Sequence, residues 1–115
     1  MVFNKKDMST DIKEQLHGGS GITQIMHIVP PNKLPANAPF FSIATLKPKC
    51  SIGVHAHMTE TEVYYVLSGK GVINDNGREI PVETGDCHMC GNGSSHGIVN
   101  NGDESLVFIV VIISD

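Results

Sequence analysis

The sequence predicts an all-β protein of one domain, a jelly-roll β-barrel. Short runs rich in Val, Ile, Thr, Tyr and Phe recur about every ten residues, glycine turns separate them, and the helical signal is weak throughout. A chain of 115 residues can enclose one hydrophobic core but has no room for a second.

Residues 1–21 read as an N-terminal arm with little to bury. Within it, Thr10-Asp11-Ile12-Lys13-Glu14-Gln15-Leu16 is expected to make a turn or two of helix before the Gly18-Gly19-Ser20-Gly21 breaker. The barrel is expected over residues 22–115. Ile22 to Val29 is its first strand, closed by Pro30-Pro31 and a loop through Pro35 and Pro39 that no helix can cross. Phe40 to Leu46 is the second. After a turn at Lys47-Pro48-Lys49, an extended stretch carries His55 and His57.

Glu62 to Leu67 follows as a strand on which Glu62, Tyr64 and Val66 share one face. If Glu62 faces a site, Tyr64 lines it. Gly71 to Asn74 and Glu79 to Val82 flank Asp75-Asn76-Gly77, a hairpin signal because the central positions tolerate positive φ. Cys87 to Cys90, His96 to Asn100 and Ser105 to Ile113 complete the strands.

Chemistry concentrates in two stretches. His55 and His57, two apart on an extended chain, project from the same face. Glu62 lies too far along a straight strand to join them, but a turn through Met58 to Thr61 returns its carboxylate. The second stretch, Gly85 to His96 with Asn100 following, offers His96 as a fourth ligand. The bland alternative is four polar residues at strand ends bonded to backbone, but a constellation in two registers is far less probable by chance than a lone histidine. Three neutral imidazoles and one carboxylate suit a divalent Mn, Fe, Ni, Co or Zn ion, and not Ca or Mg, which prefer oxygen shells.

These residues resemble the two motifs of the cupins. His55, His57, Glu62 and Gly69 fit the first, and Gly85, Gly93, His96 and Asn100 fall in register with the second, with Gly91 where the family usually has proline. The resemblance covers roughly residues 40 to 113. It implies the jelly-roll fold, and it implies a homodimer in which the arm is a candidate for exchange between subunits.

A six-coordinate ion with four protein ligands keeps two positions for a small-molecule ligand, such as a carboxylate beside a hydroxyl or carbonyl, and acts on it as a Lewis acid. Decarboxylation of an oxo-acid, isomerisation of a sugar or keto-acid, and oxygen-dependent oxidation are all consistent with such a site. The resemblance to small single-domain cupins points to oxalate decarboxylase-like or sugar isomerase-like chemistry. Proton transfer needs a second titratable group near the substrate, and Glu60, His88 and Tyr64 are the candidates. The rival class is a cupin that binds a metal-held ligand without turnover.

Other features carry less. In Cys87-His88-Met89-Cys90 the two sulfurs face opposite sides of a strand and cannot close on one ion, although one thiol or His88 can point inward. Gly91-Asn92-Gly93 has no helix behind it, which argues against phosphate binding. His17 and His27 read as solvated or structural residues.

The net charge is −4 with no run of lysines, so neither nucleic acid nor an anionic membrane is an expected partner. Met1 to Thr10 lacks the apolar region of a secretory signal, and Leu106 to Ile113 falls far short of the ~20 residues of a spanning helix. Three cysteines do not form a disulfide framework. The expected setting is cytoplasmic.

Overall fold

The computed structural model describes residues 1–114. Ten strands follow one another: β1 (Thr10–Glu14), β2 (Ile22–His27), β3 (Phe40–Leu46), β4 (Ser51–Ala56), β5 (Glu60–Ser68), β6 (Lys70–Asp75), β7 (Arg78–Glu83), β8 (Cys87–Cys90), β9 (Ser95–Val99) and β10 (Leu106–Ser114). They form a six-stranded sheet in the order β1-β2-β3-β10-β5-β8 and a four-stranded sheet in the order β4-β9-β6-β7. Every pairing is antiparallel. Among the described residues, helix is limited to single 3-10 turns, and no helix is long and apolar enough to cross a membrane.

Period-two alternation fills the space between the sheets. Leu106, Phe108 and Val110 of β10 meet Ala44 and Leu46 of β3, Tyr64 and Val66 of β5, and Ile52, Ile73, Val82 and Ile98 of the smaller sheet. The hairpin joining β6 to β7 turns through Asn76 (φ 52°) and Gly77 (φ 94°), both in the left-handed region the sequence anticipates.

The arm departs from expectation. Thr10 to Glu14 is a strand, not a helical turn, and pairs with β2 from Thr10 opposite Met26 to Glu14 opposite Ile22. Alone, the segment has no apolar stripe to stabilise a helix, whereas β2 would otherwise leave a row of backbone groups unpaired. All five residues of β1 are exposed. A side-chain relay fixes the strand: His27 Nε2 donates to Asp11 Oδ2 at 2.9 Å, while buried Ser42 bonds His27 Nδ1 at 3.2 Å.

After β1 the chain turns through Gln15 (φ 48°), His17 (φ 52°) and Gly18 (φ 80°) and closes onto β4. A Cβ on Gly53 would lie 2.0 Å from the His17 carbonyl oxygen, so glycine at Gly53 permits the contact. The turn seats His17 over one end of the barrel.

Candidate metal centre

A change of strand parity creates the site. Ile52 of β4 faces inward opposite Ile98, but the register slips before His55, which stands opposite His96. This bulge puts Val54 outside at 55% exposure and turns both His55 and His57 toward the interior. The loop after β8 then ties down the chain beyond β4: Gly93 N–H donates to the His57 carbonyl, and His57 N–H donates to the Ser94 carbonyl. Gly91 fits there because a Cβ would meet the Thr61 hydroxyl at 2.5 Å, so the loop needs a residue without a side chain on that face.

Glu62 enters from β5 and His96 from β9, and the four candidate ligands converge. One donor atom from each of His55, His57, Glu62 and His96 lies within 4.8 Å of the others. Glu62 Oε1 is 2.8 Å from His96 Nε2, 3.1 Å from His57 Nε2 and 3.8 Å from His55 Nε2. The Nε2 atoms of His57 and His96 are 3.1 Å apart. His57, Glu62 and His96 are buried, His96 completely.

The outer nitrogens explain why the inner ones cluster. His55 Nδ1 bonds the Gly53 carbonyl at 2.8 Å, His57 Nδ1 bonds Glu60 at 3.2 Å, and His96 Nδ1 bonds His88 Nε2 at 3.0 Å. With each Nδ1–H donating outward, each Nε2 turns a lone pair toward the centre, as in histidine metal sites. Lone pairs facing one another at 3.1 Å repel unless a proton or cation lies between them. Two ligands at right angles and about 2.1 Å from one ion are about 3 Å apart, which matches the shorter separations here. The donor set therefore fits one divalent transition metal ion.

Charge agrees with this. Burial pushes the Glu62 carboxyl up, but the His55 and His96 imidazoles outweigh it and hold the group well below the usual carboxylate range. For His55, burial favours loss of the proton, yet Glu62 and the Gly53 carbonyl raise its affinity above the ordinary value. The Glu62 carboxylate thus favours the protonated form of His55.

The three candidates for proton transfer occupy different places. Glu60 and His88 stand behind His57 and His96 respectively and do not line the adjoining cavity. Tyr64 does line it, with its ring stacked 5.0 Å from that of His96. Burial and the Glu62 carboxylate hold the Tyr64 phenol well above its ordinary value, so it keeps its proton. Of the two cysteines, Cys87 is exposed and Cys90 buried, on opposite faces of β8.

No motif or spacing in the sequence marks His17. Its ring stacks on His55 at 3.7 Å, 14° from parallel, and lines the same cavity. The structural role assigned to it from sequence omits this position at the site.

Residues 42–112 match the Cupin domain family. The chain belongs to the cupins. This cupin is 34% identical over 113 residues to an oxalate-binding protein of Thermotoga maritima, covering 98% of this chain and 93% of the relative. It also superposes on the crystal structure of a predicted oxalate decarboxylase from the same organism, with a TM-score of 0.94, 34% identity and complete coverage of both chains. A sugar phosphate isomerase from Silicibacter pomeroyi shares the fold at a TM-score of 0.80 and 22% identity, covering all of this cupin and 76% of that chain.

Proposed function

We propose that this cupin holds one Mn, Fe, Ni, Co or Zn ion through His55, His57, Glu62 and His96, and uses it to bind and activate a small oxo-acid. The carrying observation is the convergence of four donors beside a cavity of about 220 Å³. The relative named for oxalate binding supports a carboxylate ligand. When bound, the metal supplies Lewis acidity toward the acid's chelating oxygens, the chemistry needed for oxo-acid decarboxylation or keto-acid isomerisation.

The protein's own residues have distinct tasks. Glu60 and His88 position the ligands His57 and His96. Tyr64, protonated and beside Glu62, donates a hydrogen bond to the bound acid. A reading without turnover is favoured by one observation: Glu60 and His88 are engaged by ligand imidazoles, not turned toward the cavity.

Elemental analysis of the purified protein and its His96→Ala variant tests the site. The variant is expected to lose most of its metal while retaining its fold, since the apolar core is separate. Unchanged metal content refutes the assignment. Turnover of a panel of oxo-acids and keto-sugars by the metal-loaded protein separates enzyme from binder.

We also propose a cytoplasmic homodimer. The outer face of the large sheet supports pairing: Ile43, Ile109 and Tyr65 form one cross-strand row, and Phe41, Val111, Val63 and Met89 the next. Tyr65 and Met89 are 44% and 68% exposed. The 1–21 arm, here on its own β2, is the segment available for exchange.

A further inference from the structure

The cavity beside the metal centre is polar at one end and apolar over most of its wall. His55 and Glu62 contribute the polar end, and Tyr64 stands next to them. The remaining wall is largely Leu16, Ile25, Phe40, Ala44, Val110 and Ile112. Leu16 belongs to the arm, so the turn that carries His17 also completes this wall.

Size and polarity together argue against a bare two-carbon diacid as the occupant. The volume of about 220 Å³ equals about seven waters at ~30 Å³ each. A diacid that chelates an ion through one oxygen of each carboxylate turns its other two oxygens away from the ion. Facing Leu16, Ile25 and Phe40, those oxygens lose most of their water for at most one buried partner, the Thr23 hydroxyl. An alkyl group in the same place gains from leaving water.

Thr23 marks the same space. It lines the cavity, is 1% exposed, and its hydroxyl has no hydrogen-bond partner among the described residues. Lys13 contributes the fixed positive charge at the exposed rim, which suits a ligand with a carboxylate.

We propose that the ligand is a 2-oxo or 2-hydroxy acid with a compact, branched apolar tail. Its chelating end lies toward His55 and Glu62, and its tail lies against Leu16, Ile25, Phe40 and Ile112. This rests on the metal-dependent reading above and narrows its substrate class. Leu16 is a specificity-determining residue of the arm.

Calorimetric titration of the full manganese-loaded chain with oxalate and with 2-oxoisocaproate tests the proposal. The tailed acid is expected to bind at least about tenfold more tightly, as burial of a few methylene equivalents implies. Leu16→Trp fills the tail space and is expected to abolish this preference by weakening 2-oxoisocaproate binding at least about tenfold. Wild-type protein that binds oxalate as tightly as 2-oxoisocaproate overturns the tailed ligand and leaves the metal-dependent reading standing. If the manganese-loaded protein binds neither acid, both fall. A preference that survives in a folded Leu16→Trp protein shows that the tail lies elsewhere.

Discussion

Removing the His88 imidazole tests whether the site depends on support behind its ligands. His88 Nε2 accepts the Nδ1–H of His96 at 3.0 Å, and His96 is wholly buried. Burial, followed by the His96 ring, lowers the His88 proton affinity, so His88 stays neutral and able to accept. In His88→Ala the His96 Nδ1–H loses its acceptor, and its ring loses the contact that directs Nε2 toward Glu62. Loss of such a partner typically weakens metal binding by about 10- to 100-fold, or about 1.4 to 2.7 kcal/mol at 1.36 kcal/mol per decade. The upper half of that range is expected, because solvent does not reach His96 to replace the acceptor. Glu60 provides an internal comparison: it bonds His57 at 3.2 Å, but its side chain is 36% exposed. Water can replace it there, so Glu60→Ala is expected to cost about tenfold or less. Competition against a calibrated chelator, with circular dichroism to check folding, measures both variants. His88→Gln restores an acceptor and is expected to recover part of the loss. Wild-type metal affinity in a folded His88→Ala protein refutes the positioning role. If turnover is then lost with metal binding intact, His88 belongs in proton transfer instead.

Thr23→Val replaces an unpartnered buried hydroxyl with a methyl of similar shape, and is expected to stabilise the ligand-free protein by about 1 kcal/mol in urea unfolding; a clear loss of stability would show that the hydroxyl is satisfied. The His27 hydrogen bond lowers the Asp11 carboxyl below its ordinary value. A depressed carboxyl stabilises the fold above its unfolded pKa, so the β1–β2 pairing is expected to loosen as pH falls below about 4. NMR of the β1 amides between pH 6 and 3 reads this, and Asp11→Asn should remove the transition. The homodimer predicts that Tyr65→Asp with Met89→Asp shifts sedimentation to the monomer without altering the fold; a wild-type monomer at micromolar concentration refutes it.

The parts of this structure legible in the sequence are those governed by local pattern. The Asn76-Gly77 hairpin depends on two residues that tolerate positive φ, and the inward row of Glu62, Tyr64 and Val66 on strand alternation. The four donors and their convergence on one ion are legible as two short motifs. The means of convergence is not, because it depends on the bulge that reverses parity between Ile52 and His55 and on the loop that bonds the His57 backbone. Strand β1 is illegible in the sequence for a related reason. Its residues have no strong preference of their own, and the edge of β2, about ten residues away in sequence, decides their conformation.

His17 and Thr23 show why the ligand pocket is harder to read than the metal centre. Metal ligation demands particular donor atoms, so its residue types survive as a pattern; a pocket wall demands only shape and polarity, which many residues provide. His17 reaches the site because Gly53 lets its backbone approach β4, and Thr23 because β2 turns it inward beside Ile25. Neither residue carries a signal by spacing. The ligand class proposed above therefore rests on the assembled wall, whose arm residues lie outside the segment matched by the family.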